Sequence, residues 1–125
     1  MRLILATALI MAPLAAQAGV GIQGTYSTKE ACEWSKLPNS QQNTPESVDY
    51  MFLDNKGIHG WEWDCEFLAS WRASNGDVSI VAACADGPDA WTDTYTMRKY
   101  VDGYRLMEKT PKGTINVLKY PVRCK

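Results

Sequence analysis

The chain has 125 residues, 46% of them hydrophobic and 22% charged, with a formal net charge of −1 at pH 7. This length suits one domain with a modest core and leaves no room for several. The near-neutral charge and the absence of a matching motif argue against a nucleic-acid-binding protein.

The first 18 residues predict a cleaved signal peptide. Arg2 is followed by a short apolar run, and Ala16 and Ala18 form an A-x-A cleavage pattern. The run is barely long enough to cross a bilayer, which needs about 18 residues, and no later segment predicts a span. We therefore expect a single domain at residues 19–125 in a periplasmic or secreted bacterial protein.

The first part of the mature chain predicts short elements separated by polar turns. Alternation predicts a strand over Ile22–Ser27, and a short helical turn follows at Lys29–Lys36. Residues 36–47, with two prolines and several amides, predict an exposed loop. Val48–Leu53 predicts the next strand, which leads into a hairpin turn at Asp54–Gly57.

The clearest hairpin pairs Trp61–Trp71 with Asp77–Cys84 around Asn75-Gly76. Asn-Gly is the strongest signal for a two-residue turn because both turn positions need φ > 0. With that turn, alternate residues share one face, which we expect to lie in the core. These are Trp61, Trp63, Cys65, Phe67, Ala69 and Trp71, with Val78, Ile80, Ala82 and Cys84 opposite. The outer face then carries Glu62, Asp64, Glu66, Ser70 and Arg72.

Two further turns complete the chain. Trp91–Val101 and Tyr104–Lys109 flank Asp102-Gly103, and a turn at Pro111-Lys112-Gly113 precedes a closing strand at Thr114–Cys124. About seven strands and at most one short helix are thereby predicted. This pattern favours an all-β fold, a small antiparallel meander barrel or sandwich tied by two disulfides.

Four cysteines, Cys32, Cys65, Cys84 and Cys124, lie in the predicted mature chain. An even number in a small exported domain predicts disulfides, and no two are close enough for a C-x-x-C motif. On the predicted register Cys65 and Cys84 are diagonal neighbours within bridging range. We therefore expect Cys65–Cys84 and Cys32–Cys124, with Cys32–Cys65 and Cys84–Cys124 as the main alternative.

His59, the only histidine, follows a turn, where we expect a solvated side chain. A Ser-His-Asp or Cys-His catalytic site would need it, and the cysteines are expected to be oxidised. No G-x-S-x-G motif is present, and a single histidine supplies a zinc site poorly. Asp86–Asp93 predicts an ordinary acidic loop without the spacing of an EF-hand. We therefore predict no enzyme activity, no catalytic residue, no metal and no cofactor.

Glu62, Asp64 and Glu66 alternate along one predicted strand and so project to the same side. Such a row is typical of a solvated acidic surface, and it also suits the docking of a cationic partner. Residues 19–93 hold twelve acidic and four basic side chains, whereas residues 94–125 hold two acidic and eight basic. The two sets either neutralise each other across strands or form faces of opposite sign.

Five tryptophans are many for so short a chain. Alternation places Trp63 and Trp71 in the core, whereas Trp34 and Trp91 lie in or beside loops. A loop tryptophan caps the end of a barrel or anchors an interface. The candidate partner-binding residues are Glu62, Asp64, Glu66, Trp91, Lys112 and Gly113.

Several segments resemble small exported β-barrel proteins of Gram-negative bacteria, many without assigned function. These segments are Gly24-Thr25-Tyr26, Trp63-Asp64-Cys65-Glu66-Phe67, Ala83-Cys84-Ala85-Asp86-Gly87 and Arg123-Cys124. In size, compartment and the aromatic-then-cysteine strand, the chain is also distantly similar to the periplasmic inhibitors of C-type lysozyme. Those inhibitors insert a Ser-Gly-rich loop and a Lys-Gly turn into the lysozyme cleft. Lys112-Gly113 matches the second in type, and no Ser-Gly-Ser-like loop is present.

The sequence therefore predicts an exported binding or inhibitor-type protein that acts by surface complementarity on a cationic protein, such as a hydrolase that attacks the envelope. The acidic strand and the turns Asp54–Gly57, Asp86–Asp93 and Thr110–Gly113 would supply the contacts. Two alternatives remain, a binder of small molecules at the barrel mouth and a purely structural role in the envelope.

Overall fold

A computed structural model describes residues 19–110 and 112–125, so the predicted signal peptide at residues 1–18 and Pro111 lie outside the described residues. The strands are β1 (Tyr26–Ser27), β2 (Phe52–Leu53), β3 (Gly57–His59), β4 (Trp63–Arg72), β5 (Val78–Asp86), β6 (Asp89–Tyr100), β7 (Gly103–Lys109), β8 (Ile115–Tyr120) and β9 (Val122–Arg123). Between β1 and β2 lie the helix α1 (Lys29–Ser35) and two 3₁₀ helices, Asn39–Gln41 and Pro45–Asp49.

The nine strands form one antiparallel sheet in the order β8-β7-β6-β5-β4-β3-β2-β1-β9. Only Pro121 separates β8 from β9, so the strand at one edge of the sheet continues directly into the strand at the other. Because β8 pairs with β7 and β9 pairs with β1, the sheet closes into a nearly complete barrel. The predicted all-β fold is confirmed. The predicted closing strand is divided in two at Pro121, since proline has no N–H for a ladder.

The residues before β4 form shorter strands and more helix than the sequence pattern predicted. Only the last two residues of the predicted strand Ile22–Ser27 pair with a neighbour, although Ile22 itself is buried. The predicted helix at Lys29–Lys36 is confirmed, and its first turn is capped by the Thr28 hydroxyl, which accepts from the Ala31 N–H at 3.2 Å. In the part of the chain that the structure describes, no helix is long and apolar enough to cross a membrane.

The barrel interior is filled with side chains from strands across the whole sheet, β1 to β8. The buried residues are Tyr26, Leu53, Ile58, Cys65, Phe67, Val78, Ile80, Ala82, Cys84, Tyr95, Met97, Leu106 and Tyr120. Leu53, Ile58, Ile80 and Leu106 have no measurable exposure. A barrel of this size has an interior just wide enough for its own side chains, so the inside is a packed core.

The β4–β5 hairpin corrects the predicted register. Its loop has three residues, 74–76, in which Gly76 adopts a φ of 90° and donates its N–H to the Ala73 carbonyl at 3.0 Å. A bulge between Phe67 and Ala69 then shifts the pairing by a further residue. Cys65 consequently lies directly opposite Cys84 instead of diagonally.

The same bulge overturns part of the predicted core face. Because side chains alternate between the two faces of a strand, one extra residue moves the remainder of the strand to the opposite face. Trp71 is 53% exposed and Ser70 lies opposite the buried Ile80. Trp61, also predicted to be in the core, precedes β4 and is 62% exposed. Trp63 does pack against the core.

Both predicted disulfides are confirmed, and all four cysteines are oxidised. Cys65–Cys84 joins β4 to β5 inside the barrel across 19 residues of sequence. Cys32–Cys124 joins α1 to the residue after β9 across 92 residues. Loop entropy alone assigns them about 3 and 4–5 kcal/mol of stabilisation. The Cys32–Cys124 bond, which closes the longer loop, therefore lies beside the β1–β9 pair that closes the barrel.

The turn between β6 and β7 lies one residue earlier than predicted. Tyr100 pairs with Gly103, so Val101 and Asp102 are the two turn residues. Val101 has a φ of 53°, whereas Asp102 does not have a positive φ. This combination is that of a type II′ turn, whose first position favours glycine. Gly103 is required for a different reason, since a Cβ there would overlap the backbone oxygen of Tyr120.

Candidate binding site

Three outward-facing side chains form a row across neighbouring strands. Phe52 of β2 pairs with His59 of β3, and His59 pairs with Asp64 of β4. The alternate residues Leu53, Ile58 and Cys65 are buried in the barrel. The row therefore lies on the outer surface, where its chemistry is accessible.

His59 is held between two carboxylates. Its Nδ1 lies 2.6 Å from Oδ1 of Asp64, and its Nε2 lies 3.0 Å from Oδ1 of Asp54. Ionised carboxylates only accept hydrogen bonds, so His59 makes both bonds when both of its ring nitrogens carry hydrogen, which is the cationic form of the imidazole. Its side chain is 39% exposed, so it does lie at the surface as predicted, and the two carboxylate partners were not predicted.

The same contacts move two pKa values in opposite directions. Partial burial alone would lower the pKa of His59, but the hydrogen bonds and charges of Asp54 and Asp64 outweigh it and raise that pKa. Burial alone would raise the pKa of Asp54. Hydrogen bonds from His59 and from the N–H groups of Lys56 and Gly57 outweigh burial and lower it. With both nitrogens donating, His59 has no lone pair for a general base.

Four aromatic side chains surround a small cavity beside this row. The aromatic pocket, of about 190 Å³, is lined by Trp34, Tyr50, Phe52 and Trp61 together with Ser47, His59 and Gly60. The Trp34 ring centroid lies 5.5 Å from that of Tyr50 and 6.0 Å from that of Phe52. Nε1 of Trp34 donates to the Gln42 carbonyl at 2.7 Å. Trp34 is thus fixed in place, and the exposed Trp61 forms the outer wall.

Two of the predicted acidic residues adjoin this pocket, since Glu62 follows its wall residue Trp61 and Asp64 pairs with its residue His59, whereas Glu66 pairs with Gly57 farther along β4. Asp64 and Glu66 lie on the outer face of β4, and Glu62 lies in the bend before it. All three are exposed, and only Asp64 forms an ion pair among the described residues. The local charge is negative, because the two aspartates around His59 exceed its single positive charge.

The other predicted partner-binding residues lie elsewhere. Trp91, 41% exposed, pairs with Cys84 at the beginning of β6. Lys112 and Gly113 lie in the β7–β8 turn, where Gly113 has a φ of 82°. β5 and β6 lie between this turn and β4 in the sheet, so the structure does not bring these residues together with the acidic row.

The predicted acidic loop at Asp86–Asp93 is mostly strand. Gly87 and Pro88 form a tight turn between paired Asp86 and Asp89, and β6 begins at once. Within the described ranges, no three His, Cys, Asp or Glu side chains lie together in a way that could hold a metal ion.

Polar groups also lie toward the inside of the barrel. The Tyr95 hydroxyl donates to Oδ2 of Asp93 at 3.2 Å, and Glu108 lies opposite Tyr95 on β7. Burial, with an added contribution from Asp93, raises the pKa of Glu108. Burial and the same carboxylate raise the pKa of Tyr95. These groups bond one another among packed apolar side chains, which gives little support to a ligand in the barrel mouth.

Comparisons of the chain with models of protein families, with curated proteins and with solved structures gave no match.

The sequence did not predict the aromatic pocket or the contacts of His59 with Asp54 and Asp64. Trp34 and Trp61 are separated by 27 positions and meet only through tertiary packing. One local signal was present: Asp54, His59 and Asp64 are spaced by five residues each, with Asp54 in the turn before β3, His59 on β3 and Asp64 on β4.

Proposed function

We propose that the protein is an exported binding protein of the inhibitor type, whose outer surface over β2–β4 captures a cationic protein. The observation that supports this most is the aromatic pocket with the exposed carboxylates Glu62 and Asp64 next to its residues Trp61 and His59. Oxidised cysteines and a barrel closed by a disulfide suit the periplasm or the extracellular space.

The size of the pocket favours one side chain of a macromolecule over a whole small ligand. Sites for drug-sized ligands are usually about 300–1,000 Å³, whereas this cavity has about 190 Å³. A guanidinium or ammonium group stacked on Trp61 would combine a cation–π contact with attraction to Glu62 and Asp64. Tryptophan is among the residue types most enriched at interface hot spots, and an exposed tryptophan such as Trp61 becomes buried when a partner covers it.

The chemistry of the surface favours binding over catalysis. Both nitrogens of His59 are bonded to carboxylates, and the cysteines are disulfide-bonded. A cationic hydrolase that attacks the envelope, such as lysozyme, fits the charge of the surface and the exported location. Inhibition would then be steric and electrostatic, since the partner's own cleft would be covered.

The test is a pull-down from periplasmic and host extracts with oxidised residues 19–125 as bait, together with a lysozyme assay on the same sample. Trp61→Ala should weaken capture by about tenfold or more, the effect of losing a hot-spot tryptophan. Trp71→Ala is the matched control, because Trp71 is similarly exposed and lies outside the pocket.

The charge requirement is tested separately with Glu62→Gln and Glu66→Gln, which leave the Asp64–His59 pair intact. The double variant should bind more weakly and with less dependence on salt. The proposal fails if no cationic protein is captured and lysozyme is uninhibited, or if Trp61→Ala and Trp71→Ala have equal effects.

A further inference from the structure

The barrel is not closed along the outer edge of β8, which leaves a gap there. β9 pairs with β1 through Tyr26 with Arg123 and Ser27 with Val122. The same register, if continued, would place residues 28–32 opposite residues 121–117. Thr28 instead caps α1, and the chain leaves the sheet. The sheet is therefore closed where β9 pairs with β1, whereas no strand within residues 19–110 and 112–125 pairs with the outer edge of β8.

The unpaired groups on this edge can be identified from the β7–β8 turn. Thr110 N–H donates to the Thr114 carbonyl, and Lys109 pairs with Ile115. In an antiparallel ladder, hydrogen-bonded and non-hydrogen-bonded pairs alternate. Backbone groups of Asn116 and Leu118 are therefore directed to β7. Those of Ile115, Val117 and Lys119 are directed away from it, into the gap.

The gap is a cleft with walls rather than an open edge. The β8 cleft, of about 480 Å³, is lined by Thr28, Glu30, Glu46, Asp49, Tyr50, Met51 and Val117–Tyr120. On its far side, the Met51 carbonyl already accepts a hydrogen bond from the hydroxyl of Ser27. A strand bound in the cleft would therefore form its backbone hydrogen bonds with β8 and pack against the segment before β2.

The β8 cleft is lined by acidic side chains on the wall that faces β8. Glu30, Glu46 and Asp49 are exposed, and none of them forms an ion pair within residues 19–110 and 112–125. Lys119 is the basic residue among those that line the cleft. Its ammonium group lies 5.5 Å from the centroid of the Tyr100 ring and so already makes a cation–π contact. The wall opposite β8 therefore carries three uncompensated negative charges.

We infer that the β8 cleft binds an extended, lysine- or arginine-bearing segment of another protein, which adds to β8 as an antiparallel strand and fills the gap in the barrel. Backbone hydrogen bonds to Val117 and Lys119 supply affinity, as in other cases of strand addition, and the three carboxylates select basic side chains. This inference does not depend on the proposed function, because Trp61 and the acidic row lie outside the cleft.

The probe is a synthetic decapeptide of alternating valine and lysine, added to the oxidised domain while amide hydrogen exchange is followed by NMR. In the free protein, the N–H groups of Val117 and Lys119 should exchange faster than those of Asn116 and Leu118. Addition of the peptide should protect Val117 and Lys119. The inference is overturned if saturating peptide leaves both unprotected, or if they become protected by raising the protein concentration alone, which would make a second copy the occupant.

Two pairs of reagents separate strand addition from simple charge attraction. Val117→Pro removes a free N–H without removing a bond to β7 and should abolish binding, whereas Val117→Thr keeps that N–H and should bind normally. If Val117→Pro does not fold, a peptide methylated on alternate backbone nitrogens replaces it and should not bind the wild-type protein. Binding of the methylated peptide with unchanged affinity would refute a backbone ladder.

Charge selection is tested by replacing Glu30, Glu46 and Asp49 with their amides. This triple variant should bind the lysine peptide about tenfold more weakly at low salt. The matched control carries Asp86→Asn, Asp89→Asn and Asp102→Asn, three exposed carboxylates outside the cleft with the same total change in charge. Equal weakening by both triple variants would refute the role assigned to the cleft carboxylates.

Discussion

Replacing Val101 by glycine should stabilise the domain. Val101 is the first of two residues in the β6–β7 turn and has a φ of 53°. A β-branched residue rarely adopts this conformation, because its Cβ crowds the neighbouring backbone. Its side chain is 71% exposed, so little apolar burial is lost when it is removed.

Two opposing terms set the size of the effect. Relief of the left-handed conformation at a non-glycine residue contributes about 1–3 kcal/mol. Glycine also makes the unfolded chain more flexible, which costs about 0.5–1 kcal/mol. The expected net gain in the free energy of unfolding is about 1 kcal/mol. For a domain of this size, that raises the melting temperature by about 4–8 °C.

The assay is thermal and urea unfolding of the oxidised protein, followed by circular dichroism. Asp102→Gly is the control, because it adds the same flexibility at a position that is not at positive φ, and it should lower stability by about 0.5–1 kcal/mol. If Val101→Gly is destabilising to the same extent as Asp102→Gly, the turn is not strained and the reasoning is refuted.

Two further predictions concern His59 and Gly103. Since folding raises the pKa of His59, its ion pairs contribute fully below about pH 6.5, the unfolded value, and are lost as pH rises through the folded value. His59→Gln should therefore cost about 0.2–1 kcal/mol at acidic pH and less at alkaline pH; a pH-independent cost in urea titrations would contradict this. Gly103→Ala should destabilise by about 3 kcal/mol, because its Cβ meets the Tyr120 backbone. Unchanged stability of Gly103→Ala in the same urea titration would contradict this prediction.

Much of the fold could be predicted from local signals. Turn residues marked the hairpins, and alternation marked the long strands, so the all-β class, the short helix and both disulfides followed. The register of β4 could not be predicted, because nothing in the sequence around Phe67 and Ala69 marks a bulge. That single residue decided whether Trp71 was core or surface.

The candidate site was less accessible to sequence reasoning. The acidic residues of β4 were visible as an alternating row, but their neighbours were not. Trp34 reaches the pocket because α1 packs beside β1 and β9, from where its ring contacts Phe52 of β2. The predicted roles of Trp91, Lys112 and Gly113 in binding remain predictions.

The disulfides are nested, since the Cys65–Cys84 bond lies within the loop closed by Cys32–Cys124. A chain that emerges from its N terminus first presents Cys32, then Cys65, and Cys124 only as its penultimate residue. Oxidation in order of appearance would join Cys32 to Cys65 and Cys84 to Cys124, and both bonds would be wrong. Native pairing therefore requires either that Cys32 stays reduced until Cys124 has been made or that thiol–disulfide exchange corrects the first bond. A disulfide isomerase would catalyse that correction.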